Sequence, residues 1–352
     1  MKKLTSLLAL LLVLAMALAI PAVAEEEPLI LQRPENAAEA LEWAKQQTWD
    51  KTYTIGFGNI SDSDPVAGAL GDFVVECCKA YGMDVIRTDN ELDGTKAVQN
   101  VQTMLIRGIE ALIEFNVDES VGGVIMELCN EAEIPVLAID IPHPGATFFG
   151  ADNAYAGTLA GEMVATAAKE RWGSLDVLLL VDQMASGDLP RQRVLKAEDG
   201  LRKVFPDFPA ENVYMIEGGT TADVAQQAVS SFLTAHPDET IGIVTLQATS
   251  GLGANAAVRT AGRDADCVIV HNNEDYFFAD VANYPDDSCF VGATTFQLIY
   301  YGQWIAPAIR EMLDTGVQPE NVYVDHFALT RDTIDELFPN WREDLANGVY
   351  PN

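Results

Sequence analysis

The sequence predicts an α/β protein built from two doubly wound parallel sheets, each covered by helices on both faces. From Tyr53 onward, short apolar runs alternate with longer amphipathic stretches, which is the pattern of parallel strands joined by helical crossovers. The alternation forms two series, one before about Gly150 and one after it. Two such domains joined by a short, ordered connection are therefore expected.

Each series contains apolar runs that predict strands and amphipathic stretches that predict helices. In the first series, strands are predicted at Tyr53–Asn59, Met83–Thr88, Glu110–Phe115 and Ile134–Asp140, and helices at Pro65–Tyr81, Thr95–Arg107 and Glu119–Glu131. In the second series, strands are predicted at Ser174–Val181, Asn212–Gly218, Thr240–Leu246, Asp266–Asn272 and Ser288–Thr294. Its helices are predicted at Ala154–Arg171, Pro190–Phe205, Ala222–Ala235, Gly253–Ala261 and Gln297–Thr315.

Residues 1–24 predict a signal peptide. Lys2 and Lys3 precede a run rich in Leu and Ala, and Ala22-Val23-Ala24 gives the small-x-small pattern at which such leaders are cleaved. A retained membrane anchor is the alternative, because the run is nearly long enough to span a bilayer. We favour cleavage, which gives an exported, soluble protein in the periplasm or at the extracytoplasmic cell surface. Residues 25–50 then form an N-terminal extension.

Acidic residues dominate the composition. The 53 Asp and Glu residues against 21 Lys and Arg give a formal net charge of −32. The negative electrostatic potential of such a protein repels phosphate backbones and anionic lipid surfaces, which argues against a nucleic-acid partner. The 5 cysteines, an odd count without C-x-x-C spacing, argue against a disulfide scaffold or a zinc site. We expect buried free thiols, with one bridge between Cys267 and Cys289 as the alternative.

One segment has the pattern of a cofactor-binding turn. Gly251–Ala256 reads G-x-G-x-x-A between a strand and a helix, which would suit a dinucleotide in a secreted oxidoreductase. However, Gln247–Ser250 separate the strand from the first glycine, so a glycine-rich helix start that packs against the sheet is favoured. The sequence lacks nucleophile-elbow, phosphate-loop and zinc-protease motifs. We therefore predict no enzyme activity, no cofactor and no metal site.

Polar residues at the carboxyl ends of the predicted strands are candidates for a binding site, because ligands of doubly wound sheets lie there. Carboxylate, amide and guanidinium groups suit a small, polar and mostly neutral ligand. Arg191 can donate several hydrogen bonds in a rigid fork, whereas we assign Arg193 to the surface. Asn272 and Asn273 could instead cap the next helix. The candidates are Asn59, Asp62, Asp64, Asp140, His143, Arg191, Gln247, Asn272 and Asn273.

Five segments carry a likeness to a known family. They are the opening strand and loop Ile55–Pro65, the segment Asn100–Ile113, the strand Ile134–Asp140, the run Gly150–Gly157 and the segment Phe232–Val244. In this order they resemble the periplasmic sugar-binding proteins of ABC transporters, of the ribose- and galactose-binding type. The resemblance extends from about Tyr53 to Leu337. It implies two Rossmann-like lobes that close on one sugar and are joined by a hinge of three chain crossings.

The resemblance also implies lobe boundaries and site residues. The first lobe would contain residues 51–150 and 296–322, and the second lobe residues 151–295 and 323–352. The crossings would fall near Phe149–Ala151, Thr295–Phe296 and Val322–Asp325. The family's binding positions map onto the loop Asn59–Asp64, Asp140, Arg191, Gln247, Asn272 or Asn273, and Phe296. Aromatic cover for the ligand would come from Tyr276, Phe277, Tyr300 or Trp304.

We therefore predict an exported solute-binding protein for a sugar or a sugar-like molecule. As a monomer, it would deliver this ligand to an ABC transporter permease, or present it to a chemoreceptor. Two alternatives remain open: the secreted oxidoreductase, and a binding protein for a signalling furanose or nucleoside that feeds a sensor receptor. A transcription regulator of the same fold is disfavoured, because a leader is present and no basic helix-turn-helix segment precedes Tyr53.

Overall fold

A computed structural model describes residues 28–351, apart from residues 35, 117, 187, 220, 286 and 287. The predicted signal peptide therefore lies outside the described residues. Within the described part of the chain, no helix is both long and apolar enough to cross a bilayer. All cysteines are buried free thiols, as favoured from the sequence, and the alternative bridge between Cys267 and Cys289 is not formed.

Strands and helices alternate along the chain as the periodicity predicts. The first part contains α1 (Leu29–Gln32), α2 (Ala37–Gln46), β1 (Tyr53–Asn59), α3 (Pro65–Ala80), β2 (Met83–Asp89), α4 (Gly94–Ile106), β3 (Ala111–Glu114), α5 (Gly122–Glu131), β4 (Val136–Ile139) and β5 (Thr147–Gly150). The second part contains α6 (Asn153–Trp172), β6 (Val177–Asp182), α7 (Asp188–Leu195), α8 (Ala197–Val204), β7 (Val213–Glu217), α9 (Ala222–Ala235), β8 (Ile241–Thr245), α10 (Ala248–Ala261), β9 (Cys267–Asn272), α11 (Phe277–Asn283) and β10 (Phe290–Thr295). The last part contains α12 (Gly302–Thr315), β11 (Asn321–Tyr323), β12 (Phe327–Leu329), α13 (Ile334–Leu337) and α14 (Trp341–Ala346).

The strands form two 6-stranded sheets. The first sheet has the order β11-β5-β4-β3-β1-β2, and its neighbouring strands are parallel. The second sheet has the order β12-β10-β9-β8-β6-β7 and is parallel except for the pair β10–β12. We call each sheet with the helices that pack on it the first lobe and the second lobe. The predicted α/β fold with two doubly wound lobes is confirmed.

Between the two sheets the chain crosses after β5, after β10 and after β11. The last crossing is bonded to the first, because the Val324 amide donates to the Gly150 carbonyl at 3.1 Å. Beyond the second crossing, Trp304 and Ile305 of α12 lie in the first lobe's core, against Leu70 of α3. This element order agrees with the implied return of the chain to the first lobe. The exact residue boundaries of the lobes stay a prediction.

The inner strands of each sheet are buried on both faces, which explains why they read as continuous apolar runs. In β6, for example, Leu178 and Leu180 enter one core cluster, whereas Leu179 and Val181 enter the cluster on the opposite face. In the inner strands, which are buried along their length, the polar side chains lie mainly at the carboxyl ends and in the loops after them. The packing of the sheets thus concentrates the candidate site residues at one edge of each sheet.

The described part of the N-terminal extension packs on the first lobe. Arg33 lies with its guanidinium 4.8 Å from the ring centre of Trp304, and it donates to Gln303 Oε1 at 3.0 Å. Trp49 stacks on Tyr81 with ring centres 5.1 Å apart. The side chains of Ala40 and Ala44 in α2 are buried as well. The extension is therefore an integral layer of the first lobe.

Several predicted elements are wrong in detail. The helix predicted at Pro190–Phe205 is two helices, α7 and α8, which Lys196 separates. The helix predicted from Gln297 begins only at Gly302, because Gln297 has a left-handed backbone (φ 51°) and a short 3-10 turn follows it. The sequence does not predict β5, β11 and β12, which have 3 or 4 residues. No helix separates β5 from β4 or β12 from β11, so these strands depart from the alternation on which the prediction depends.

Helices α6 and α8 cross at their glycines. A Cβ added to Gly161 would overlap the Ala197 carbonyl oxygen, and one added to Gly200 would overlap the Thr158 carbonyl oxygen. Gly161→Ala is therefore expected to lower the free energy of unfolding by about 1–3 kcal/mol, because the two backbones must separate. Urea unfolding followed by circular dichroism measures this change. The matched control is Gly123→Ala in α5, where an added Cβ meets no atom within 4 Å. If the two variants were equally stable, the close crossing would not matter for folding.

Candidate functional site

Asp140 stands directly after β4, at the edge of the first lobe where parallel strands end. Its backbone is left-handed (φ 56°), a conformation that aspartate tolerates better than most residues. The Tyr301 hydroxyl donates to its two carboxylate oxygens at 3.3 and 3.5 Å. A Cβ on Gly150 would overlap this carboxylate, so the glycine lets β5 approach it. Burial raises the pKa of Asp140 to about 6, while the positive charge of Arg193 and the Tyr301 hydrogen bond oppose the rise.

Arg193 of α7 brings a positive charge from the second lobe towards Asp140. Its Nε donates to Asn153 Oδ1 at 2.6 Å, and its Nη1 donates to Asn273 Oδ1 at 3.3 Å. The guanidinium also lies 5.3 Å from the ring centre of Phe296. Burial lowers the pKa of Arg193, and the Asp140 carboxylate opposes this change. The assignment of Arg193 to the surface is therefore wrong.

Arg191 points to another partner within the second lobe. It donates from Nε and Nη2 to Asp182 Oδ2 at 2.9 and 2.7 Å, and Asp182, at the end of β6, is buried. Two residues along a helix differ by about 200° in direction. The same helix α7 therefore turns Arg191 towards β6 and Arg193 towards the crossings between the lobes.

The loop after β1 uses its polar side chains to hold its own shape. Asn59 is fully buried and donates to Asp62 Oδ1 at 2.7 Å and to the Ala67 carbonyl at 3.0 Å. Arg87 also donates to Asp62, at 3.0 Å from Nε. Asp64 is exposed and caps α3 by accepting from the Ala67 amide at 2.8 Å. Of the three predicted residues in this loop, Asp64 is the one with a carboxylate open to solvent and free of an ion pair in the described structure.

His143 and Asn272 are likewise engaged inside their own lobes. His143 is buried, with Nδ1 3.1 Å from the Ile141 carbonyl and Nε2 3.3 Å from Asn116 Nδ2, and burial lowers the pKa of its imidazole. Asn272 donates to the Thr245 carbonyl at 2.9 Å and accepts from the Thr294 hydroxyl at 2.7 Å. These contacts fix the strand ends rather than leave polar atoms for a ligand.

Gln247, Asn273 and Phe296 lie at the strand ends of the second lobe. Gln247 Nε2 donates to Gln183 Oε1 at 2.9 Å, which ties the loop after β8 to the loop after β6. Asn273 has a left-handed backbone (φ 74°) and holds Arg193. Phe296 is buried, with its ring centre 6.0 Å from that of Tyr301. Neither asparagine of the pair caps α11, which begins after Tyr276, so the capping alternative is wrong.

The structure thus brings Asp140, Asn273 and Phe296 together with three residues that the sequence reasoning missed: Tyr301, Asn153 and Arg193. Asn153 follows the helix cap Asp152, which accepts from the Tyr155 amide at 3.0 Å. Tyr301 lies in a segment predicted to be plain helix, so its position gave no signal. Of the predicted aromatic cover, Phe277 and Trp304 are buried in the lobe cores instead.

The glycines of the dinucleotide alternative have a packing role. Gly251 and Gly253 lie inside α10, which begins at Ala248, and do not form the turn before it. A Cβ on Gly251 would lie 2.7 Å from the His271 Cβ, and one on Gly253 would overlap the Ala222 carbonyl oxygen. The favoured interpretation is confirmed, and the turn that a dinucleotide requires is absent. In the described residues, no group of three His, Cys, Asp or Glu side chains is placed to hold a metal ion.

Comparison with known proteins agrees with this architecture. The family model of the periplasmic binding protein domain matches residues 55–278. The chain belongs to the periplasmic binding protein family. The predicted family is thereby confirmed, and it is a family of extracytoplasmic binding proteins. The ribose import binding protein of Escherichia coli K12 is 22% identical over 257 residues, which cover 68% of this chain and 82% of that protein.

Solved structures of the same fold extend the comparison. The periplasmic ribose ABC transporter protein of Conexibacter woesei matches with a TM-score of 0.66 at 17% identity, over 82% of this chain and 95% of the other. A solute-binding protein of Mycobacterium smegmatis, solved with glycerol, matches with a TM-score of 0.63 at 22% identity. The match covers 82% of this chain and 97% of that protein. At these identities the likeness concerns the fold.

Proposed function

We propose that this periplasmic binding protein captures a small polyhydroxylated ligand between its two lobes. One observation carries the proposal: Tyr301, which bonds to Asp140 of the first lobe at 3.3 Å, and Phe296, which lies 5.3 Å from the guanidinium of Arg193 of the second lobe, have ring centres 6.0 Å apart, so the partly buried carboxylate and guanidinium approach one another near the chain crossings. A carboxylate accepts hydrogen bonds and a guanidinium donates them, so a hydroxyl-rich molecule satisfies both groups at once. The buried Phe296 ring, 5.3 Å from the Arg193 guanidinium, helps to hold this arginine in place.

Closure of the lobes would follow from contacts that only the closed state makes. A ligand that bonds to Asp140 alone has no preference between open and closed lobes. A ligand that also reaches Arg193 stabilises the closed state, because the two groups belong to different lobes. Arg193 is already held by Asn153 and Asn273. It is therefore preorganised for the ligand, which lowers the entropy lost on binding.

We infer that the ligand is a sugar or a sugar-like molecule and that the exported, monomeric protein hands it to an ABC transporter permease. The curated relatives support this, because they are ribose import binding proteins. Structures of the same fold hold D-allose, allitol and arabinofuranose. A thermal-shift screen of sugars, polyols, nucleosides and furanoses tests the proposal. A sugar or polyol is expected to raise the melting temperature. If no compound in the screen raised it, the proposed function would be wrong.

Asp140→Ala and Arg193→Ala are expected to weaken binding of the screened ligand by about ten- to a hundredfold, because each leaves ligand hydroxyl groups without their charged hydrogen-bond partner. Isothermal titration calorimetry measures this. Arg202→Ala in α8 is the control, since Arg202 bonds Glu198 one turn earlier on the same helix and lies apart from the site. If Arg191→Ala lowered the affinity more than Arg193→Ala, the original assignment of Arg191 would be the better one.

A further inference from the structure

Helix α7, which carries Arg193, has little apolar anchorage of its own. In the described structure Val194 is its one buried residue, whereas Leu189 and Leu195 are exposed. A helix of 8 residues is too short to be stable by itself. Contacts with neighbouring elements must therefore fix the position of α7, and the position of the Arg193 guanidinium depends on the same contacts.

An ion pair joins α7 to the end of β6. Arg191 donates to Asp182 Oδ2 from Nη2 at 2.7 Å and from Nε at 2.9 Å. The Asp182 side chain is 2% exposed, so water competes little for its oxygens. The Gln183 amide donates to Asp182 Oδ1 at 2.8 Å, and the Gly218 amide donates to the Asp182 carbonyl at 2.8 Å. The carboxylate is thus held in place on β6, and a planar guanidinium that donates to it from two nitrogens has a defined orientation.

Helix α6 holds another side of α7 by direct backbone contact. A Cβ added to Gly157 of α6 would overlap the Gln192 carbonyl oxygen and would lie 2.9 Å from the Arg193 carbonyl oxygen. Asn153, one turn earlier in α6, accepts from Arg193 Nε at 2.6 Å. Because Arg191 and Arg193 differ by about 200° in direction along the helix, the contacts with β6 and with α6 restrain different sides of α7.

The guanidinium of Arg191 is engaged by the protein itself. Two of its nitrogens, Nε and Nη2, donate to the buried Asp182 carboxylate. Its third nitrogen, Nη1, lies 3.8 Å from the carboxylate of Asp188, which is fully exposed at the start of α7. A pair with an exposed partner contributes little to stability, so the contact with Asp182 is the one that determines where α7 lies.

We propose that Asp182 and Arg191 are positioning residues, whose ion pair holds α7 so that Arg193 presents its guanidinium to the ligand. This inference rests on the proposed function, in which Arg193 is the charged contact from the second lobe. Groups that bind a ligand must be held within about 0.5 Å of their productive geometry by the residues behind them. Without the ion pair, α7 keeps its contact with α6 but loses the one with β6. Arg193 would then have to be ordered when the ligand binds, at a cost in affinity.

Titration calorimetry in a double-mutant cycle tests the proposal. The probe is whichever of D-ribose, D-allose, D-galactose, L-arabinose and allitol raises the melting temperature of the wild type most. Asp182→Asn keeps the size of the side chain and removes its charge, and it is expected to weaken binding of this probe about five- to twentyfold. In an Arg193→Ala background the same change should weaken binding less than about twofold, because the residue through which it acts is gone. A direct contact of Arg191 with the probe, or a general loss of structure, would instead have the same effect in both backgrounds.

Hydrogen exchange of the ligand-free protein gives a second measurement that needs no probe. Asp182→Asn should speed the exchange of the α7 amides about tenfold and leave the amides of β1, in the other lobe, as in the wild type. Glu198→Gln is the matched control, because it breaks the 2.6 Å pair with Arg202 in α8 and should alter neither α7 exchange nor binding.

Two results would overturn the inference while the proposed function stood. One is that Asp182→Asn leaves the exchange of α7 unchanged, and the other is that it affects binding equally with and without Arg193. Failure of all five compounds to bind the wild type would count against the proposed function, and this inference would fall with it.

Discussion

Replacing Asp280 with alanine is expected to lower the free energy of unfolding by about 3–5 kcal/mol. The Asp280 side chain is 3% exposed and pairs with Arg259 Nη2 at 2.8 Å and with Arg331 Nη2 at 3.0 Å. Asn255 also donates to it at 3.2 Å. Without the carboxylate, two half-buried guanidinium groups would lose their counter-charge. Urea unfolding at neutral pH measures the loss.

Asp199→Ala in α8 is the control for this prediction, because Asp199 pairs with Lys196 at 3.0 Å on the surface. Exposed pairs contribute little to folding, so this variant should unfold at nearly the wild-type urea concentration. The two ion pairs of Asp280 join α11 to α10 and to the segment after β12. The loss of stability should therefore be much larger in Asp280→Ala than in Asp199→Ala. Similar midpoints for the two variants would show that the buried cluster does not stabilise the second lobe.

Glu114→Gln is expected to stabilise the protein, and increasingly so as the pH rises. Glu114 ends β3 with 1% exposure, and its Oε1 accepts from Asn90 at 3.0 Å. Burial raises the pKa of Glu114 from 4.5 to about 8, although hydrogen bonds from Asn116 and Asn90 oppose the rise. The pKa of Glu114 is thus higher in the folded chain than in the unfolded chain. Its contribution to the free energy of unfolding is fully present below about pH 4.5 and is lost progressively as the pH rises to about 8.

The glutamine variant has no such proton to lose. It should match the wild type under acidic conditions and exceed it by about 3 kcal/mol at neutral pH, because each pKa unit corresponds to about 1.4 kcal/mol. Thermal and urea unfolding across a pH series measure the difference. Glu131→Gln, an exposed position at the end of α5, is the matched control and should show no such trend. A constant difference between variant and wild type at every pH would mean that Glu114 does not titrate during unfolding.

Most of the fold can be predicted because its strands are buried on both faces. Runs such as Val177–Val181 of β6 are apolar throughout, and amphipathic helices separate the runs, so the alternation identifies parallel sheets. The short edge strands β11 and β12 escape this reasoning, because they are defined by pairing with distant strands. The break between α7 and α8 at Lys196 escapes it too, because the amphipathic pattern runs on through this residue.

The candidate site is harder to predict than the fold. The strand-end rule finds Asp140, Asn273 and the other polar positions, because the topology determines where strands end. The rule does not say which polar atoms the protein itself already bonds. The side-chain amides of Asn59 and Asn272 donate to backbone carbonyls of neighbouring segments, and Arg191 pairs with Asp182. Such pairing depends on side chains that meet only in the folded chain.

The three chain crossings between the sheets also affect the order in which the strands of each sheet can pair. The Tyr53 hydroxyl in β1 donates to the Leu313 carbonyl, and the second sheet receives its last strand from residues after Asp325. Contacts this far apart in sequence form late, because long loops must close before they contribute. Neither half can complete its sheet while the C-terminal segment is still being synthesised. The edge strands β11 and β12 are therefore expected to join their sheets last, after the central strands have paired.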